Sequence, residues 1–132
     1  MSETHIVRAR DVMQKGVTYI DGMQTAKEAA ALMRSSHITA LIVNKRDPDD
    51  AWGIVAIQDL IKGVILPGRD SEEVNVYEVM TKPIITVPAN MDVKYVARLI
   101  YRAGIRRAPV EDKGELVGMV SLASLVLNNE LF

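Results

Sequence analysis

The run Gly104-Ile105-Arg106-Arg107-Ala108-Pro109-Val110 sets two adjacent guanidiniums between an apolar residue and what reads as the start of a buried strand. Charged side chains almost never enter a core unpaired, so Arg106 and Arg107 need either an anion or acidic neighbours. The planar fork of arginine suits bidentate contact with phosphate. Successive strand residues point to opposite faces, so the two arginines are expected to have different surroundings, one binding and the other supporting it or facing a neighbouring cleft. Two further tetrapeptides carry polar chemistry at the start of an apolar stretch of helical character, Ala56-Ile57-Gln58-Asp59 and Ser121-Leu122-Ala123-Ser124. A carboxylate there can complement the helix dipole or accept two hydrogen bonds from vicinal hydroxyls. A serine there is an ordinary N-cap, beside free amides that suit an anion.

Catalytic chemistry has little support. The chain has no cysteine and two histidines. His5 lies near the N-terminus and His37 at the end of a helix, and the pair lacks metal-ligand spacing. Walker, Rossmann and nucleophile-elbow patterns are absent. An enzyme is therefore not expected, and neither a metal nor a required cofactor. Asp47-Pro48-Asp49-Asp50 has the composition of a turn rather than of a cation site.

The elements that must hold these residues are written twice. Val12 and Met13 fall on Val79 and Met80 at a shift of 67 residues, and Lys27, Ala30, Leu32, Ile38 and Val43 fall on Lys94, Ala97, Leu99, Ile105 and Val110. After the polar loop from Asn44 to Trp52 the shift drops to 65, and Gly53, Val55 and Leu60 meet Gly118, Val120 and Leu125. A length change confined to one turn is what a duplication leaves. Each copy reads β-α-β-β-α. Thr25 and Glu28 have capping-box spacing and Asp92 caps the second copy. Ala26, Ala29, Ala30 and Met33, then Val93, Val96, Ala97 and Ile100, form the apolar stripes. The first repeat spans 7–66, a linker 67–77 and the second repeat 78–130. A repeat of about 60 residues is marginal alone, so the two are expected to pack as one α/β (α+β) module about a pseudo-twofold axis.

The chain has 132 residues, 48% of them apolar and 25% charged, with a formal net charge of −1. That balance suits a folded globular protein, and it gives no global basic field for nucleic acid or an anionic membrane. No signal-peptide core or transmembrane run occurs, so a cytoplasmic location is expected.

The duplicated unit, the Asp-Val-Met and Glu-Val-Met openings, the run from Gly104 to Asp112, and the endings Gly53–Leu60 and Gly118–Leu125 resemble a tandem pair of cystathionine-β-synthase (CBS) domains, a Bateman module. The resemblance runs from about Val7 to Leu127. It implies a regulatory unit that holds AMP, ADP or ATP, or alternatively S-adenosylmethionine, in clefts between the repeats. It also implies a homodimer and a separate effector protein that reads the bound state. On this resemblance Arg106 and Arg107 reach phosphate, Ser121 helps hold it, and Asp59 takes the ribose. Ser124 stands where the second copy would have carried an aspartate. Thr39 and Ala40, preceded by Ile38, occupy the place of the basic pair in the first copy, and Pro109 follows that pair in the second. Adenine is expected beside Thr18 to Met23, Tyr19 among them, in one cleft and beside Ile85 to Ala89, Thr86 among them, in the other. The split motif implies unequal sites; its alternative is a module that binds no nucleotide and serves for dimerisation or docking.

Overall fold

The computed structural model describes residues 5–132. In chain order its elements are α1 (Ala9–Val12), β1 (Gln14–Lys15), β2 (Tyr19–Ile20), α2 (Ala26–Ser36), β3 (Ala40–Val43), β4 (Gly53–Ala56) and α3 (Ile57–Leu60), which runs into a π-helical stretch, Ile61–Ile65. Then follow α4 (Val76–Val79), β5 (Val87–Pro88), α5 (Val93–Ala103), β6 (Arg107–Asp112), β7 (Glu115–Ser121) and α6 (Leu122–Leu127). The order β-α-β-β-α occurs twice, as the pattern predicts. None of the described helices is long and apolar enough to cross a membrane.

Capping chemistry fixes where the long helices begin. Glu28 N donates to Thr25 Oγ1 at 3.1 Å while Thr25 N donates to Glu28 Oε1 at 3.1 Å, closing the reciprocal box. Bonding to the Thr25 amide holds the Glu28 carboxyl below its ordinary range. At α5, Lys94 N donates to Asp92 Oδ1 at 2.8 Å. The predicted stripes are buried except at two places: Ala30 is half-buried, and Ala97 is exposed because the buried face of α5 narrows to Val93, Val96 and Ile100. The helices end in left-handed residues at corresponding positions, Gly104 in one copy and His37, with φ 54°, in the other.

The chain divides into two compact units, and these cut across the sequence repeats. One joins the residues up to Val17 with Ile85–Phe132; the other is Thr18–Ile84. The first holds a four-stranded sheet of order β1-β7-β6-β5, the second a three-stranded sheet of order β2-β3-β4. In each, a βαβ unit gives one parallel pair, β5 with β6 or β2 with β3, and a hairpin adds the antiparallel neighbour. The opening of each repeat is built into the unit made mostly of the other. Ala9 N and Arg10 N donate to Met91 O and Ala89 O at 2.9 and 3.0 Å. Val76 N and Tyr77 N donate to Gln24 O and Gly22 O at 2.8 and 2.9 Å. Val74 and Val76, at the end of the stretch read as a linker, are accordingly fully buried core residues of the second unit.

The loop after β3 is a turn, as its composition suggests: Asp49 N donates to Asp47 Oδ1 at 2.9 Å. Asp50 is nearly enclosed and accepts from Arg46 Nε at 3.1 Å and Lys82 Nζ at 2.7 Å. Those two cations, Arg46 first, hold its carboxyl well below the usual carboxylate range. Among the described residues no group of three or more His, Cys, Asp or Glu could hold a metal ion.

Two predictions follow from close contacts. A β-carbon at Gly118 would meet Gln14 O at 2.6 Å and Met13 Sδ at 2.5 Å, whereas at Gly53 the nearest atom is the movable Met80 Sδ at 2.9 Å. Gly118→Ala should therefore lower stability by about 1–3 kcal/mol and Gly53→Ala by less, read from urea midpoints. The Asp50 pKa is depressed in the folded state, so its contribution is present above the unfolded value of about 4 and is lost as pH falls. Urea titrations should show Asp50→Asn destabilised at neutral pH and converging on the parent protein below about pH 4.

Candidate functional site

In both units the last helix leaves its strand without a loop, so its first amides lack partners within the helix. The structure satisfies them in the same way twice. Leu122 N donates to Arg106 O and Ile57 N donates to Thr39 O, each at 3.0 Å. The residues that sequence reasoning singled out as Thr39 and Arg106 therefore occupy equivalent places, at the amino end of β3 or β6 beside the start of α3 or α6.

In the first unit the register pairs Arg107 with Ser121, which brings the basic run to the α6 N-cap. Arg106 is exposed and Arg107 half-buried, so alternation gives the two guanidiniums different surroundings. Ser121 Oγ accepts from Ser124 N at 3.1 Å, and Ser124 Oγ accepts from Ser121 N at 2.8 Å and donates to Ser121 O at 3.1 Å. Both hydroxyls belong to a capping box. Ser124 is buried; Ser121 is half-buried and keeps a lone pair and a proton to offer. Pro109 is buried in β6 opposite Met119.

In the second unit Asp59 takes the place of Ser124: its Oδ2 accepts from Ala56 N at 2.7 Å. The carboxylate is half-buried. Thr39 is exposed, and Ile38 packs against the core cluster around Met33 and Leu41.

Two of the expected adenine positions lie elsewhere. Thr86 Oγ1 donates to Glu111 Oε2 at 3.3 Å, toward the carboxyl end of β6 and away from Arg107, because β5 pairs in parallel with Val87 beside Val110. Tyr19 sets its ring 5.4 Å from that of Trp52, which precedes β4 at the carboxyl end of β3, the end opposite Thr39 and Asp59. Thr18 contributes its carbonyl, which accepts from Ile42 N at 2.9 Å, and its side chain is half-buried. The sequence also left unread a group at the carboxyl end of β3, Lys45, Arg46 and Lys82 with Tyr77, which lines one cavity with Met23, the last residue of the stretch expected beside adenine. Its signal was the extra length of the loop after β3.

Comparison with known proteins agrees with this duplicated geometry. The CBS domain family model matches residues 9–65 and again 76–128. An uncharacterised protein of Methanopyrus kandleri is 35% identical over 91% of this chain, which spans 59% of that relative's length. The CBS domain-containing protein YhcV of Bacillus subtilis is 30% identical over 90% of the chain and 83% of its own. Among solved structures, a hexameric CBS-CP12 protein from bloom-forming cyanobacteria superimposes with a TM-score of 0.92 at 33% identity, covering 98% of this chain and 75% of that one. Two matched segments, each ending in a helix capped by Asp59 or Ser124, make this chain a member of the CBS-domain family with the domain in tandem.

Proposed function

We propose that the chain is a regulatory module that binds an adenine nucleotide, AMP, ADP or ATP, and passes the bound state to a separate effector protein. The observation that carries this reading is the pairing of Arg107 with Ser121 while the Arg106 carbonyl holds the first amide of α6. Arg107 and the Ser121 hydroxyl thereby share one face of the sheet beside the start of α6, a set suited to phosphate oxygens, with the exposed Arg106 on the neighbouring face. Asp59, the counterpart of Ser124 in the other unit, suits ribose hydroxyls, so two unequal sites are part of the proposal. One observation favours the rival, a docking module without a ligand: the Asp59 and Ser124 side chains already engage in capping.

Calorimetric and thermal-shift titration with AMP, ADP, ATP and S-adenosylmethionine separates the two. A nucleotide at 100 times its dissociation constant should stabilise the native state by about 2.7 kcal/mol. Arg107→Ala should abolish the stronger phase. Asp59→Asn, which keeps an oxygen for the Ala56 amide but removes the charge, should leave that phase intact and weaken the second. A flat response to every nucleotide would favour the docking module.

The reading includes self-association. Ile57 and Ile61 on α3 and its extension, and their counterparts Leu122 and Val126 on α6, are exposed rows spaced four apart. Exposed apolar rows of this kind are what an interface between copies buries. Sedimentation should show a dimer for the parent chain and a monomer for Ile61→Lys combined with Val126→Lys. A monomeric parent protein would remove this part of the proposal.

A further inference from the structure

Each unit holds a cavity at the carboxyl end of its parallel strand pair, and the two cavities correspond through the duplication. In the second unit it measures about 490 Å³ and is lined by residues after β2, after β3 and on α4, among them Met23, Lys45 and Tyr77. In the first unit a cavity of about 510 Å³ is lined at the matching positions by Asn90, Asp112 and Arg10. The same two backbone contacts set the walls, Tyr77 N to Gly22 O and Arg10 N to Ala89 O. Volumes of this size fall within the range of small-molecule sites. The carboxyl ends of parallel strands joined by a helical crossover are also where such ligands sit in open α/β sheets.

The chemistry of the two cavities has diverged. In the first unit Arg10 and Lys113 face Glu111 and Asp112, which leaves no net charge. In the second, Lys45, Arg46 and Lys82 face Asp21, with Asp50 behind Arg46 and Lys82, which leaves one positive charge. Asp21 is itself engaged, its Oδ1 accepting from Met23 N at 2.8 Å. The cations are held in place: Asp50 fixes Arg46 and Lys82, and Lys45 Nζ lies 5.0 Å over the Trp52 ring. Around them the wall is apolar and open to a ligand, since Met23 is 71% and Tyr77 50% exposed, with Val43 and Met80 beneath. Methionine side chains adapt to flat rings, and a tyrosine face stacks on them.

We propose that this cavity is a second binding site, distinct from the Arg106 and Asp59 ends of the sheets, and that it takes a small aromatic carboxylate. The ring lies against Met23, Tyr77 and Met80, and the single negative charge meets the excess cation of Lys45, Arg46 and Lys82. The corresponding cavity of the first unit, neutral and polar, does not take it. The difference between the copies lies in the lining residues: Lys45 stands where the first unit has Asp112, and Lys82 adds a cation that Asp50 of the longer loop holds in place.

The test is a two-dimensional amide NMR titration of the full chain with 2-naphthoate, and in parallel with neutral 2-naphthamide. Naphthoate should shift residues 21–23, 43–46 and 77–82 and leave 88–90 and 111–114 unmoved. Naphthamide should bind about tenfold more weakly, and Lys45→Gln, an exposed substitution that leaves the fold intact, should weaken naphthoate by a similar factor. Tyr77→Ala should weaken both ligands. The proposal is overturned if millimolar naphthoate shifts nothing, if the amide binds as well as the acid, if both cavities respond alike, or if AMP displaces naphthoate.

Discussion

The backbone hydrogen bonds that build each repeat's opening into the opposite unit are the constraint on which everything else rests. Ala9 and Arg10 reach the Met91 and Ala89 carbonyls, and Val93 N returns to Val7 O at 2.8 Å. In the other unit Val76 and Tyr77 reach Gln24 and Gly22, and Ala26 N returns to Val74 O at 2.7 Å. These are main-chain bonds that a change of side chain cannot easily erase, and the valines beside them complete each core. Val7 and Val12 pack with Val96, Ile100 and Val120; Val76 packs with Ile20, Met33 and Leu41. A repeat cut out along the sequence would lose its own opening's partners and expose the surface that the other opening covers. Neither core is complete until both halves of the chain exist, so the fold depends on contacts of long sequence separation.

The same exchange explains why functional chemistry collects at the strand ends. Strand middles are committed to the core: β3 is buried at all four positions, and Ala108, Pro109 and Val110 of β6 are buried as well. At the amino ends, side chains must first cap the helices that leave the sheets without a loop. Asp59 and Ser124 do this with different chemistry at one position, and each keeps the same distance to the strand amide within a tenth of an ångström, 2.7 and 2.8 Å. Both stand three residues after the N-cap, where either side-chain oxygen can accept from the N-cap amide, so the two copies could diverge in charge there without losing that bond. A ligand role at Asp59 or Ser121 therefore has to coexist with a structural one.

Much of this was legible in the sequence because its signals are local. The capping box at Thr25, the stripes of α2 and α5 and the shift between copies depend on residues within a turn or two of one another, and the structure places them as read. The exchange of openings was invisible because hydrogen bonds between Tyr77 and Gly22, or Arg10 and Ala89, leave no periodic trace; Val74 and Val76 instead looked like part of a charged linker. Where Thr86 and Tyr19 lie along their sheets was invisible for a related reason. Strands of two residues carry too little alternation to fix a register, and it was the pairing of Val87 with Val110 and of Tyr19 with Ile42 that decided their direction.

The two shifts in the alignment of the copies, 67 before the hairpin turn and 65 after it, have a structural meaning at the carboxyl ends. The turn is the one place where length can change without moving a strand, since β3 with β4 and β6 with β7 are held by their own ladders on either side. In the first copy the longer turn folds Asp50 back onto Arg46 and across to Lys82, which draws the exchanged segment after α4 toward the loop. In the second copy Lys113 and Gly114, both at positive φ, close a tight turn, and the acidic pair Glu111 and Asp112 stays in its place. Duplication kept the backbone contacts at Gly22 and Ala89 while the residues that face the space beyond them changed. Side chains there are free of the ladder, which is how one fold can present an apolar cationic pocket and a neutral polar one at equivalent positions.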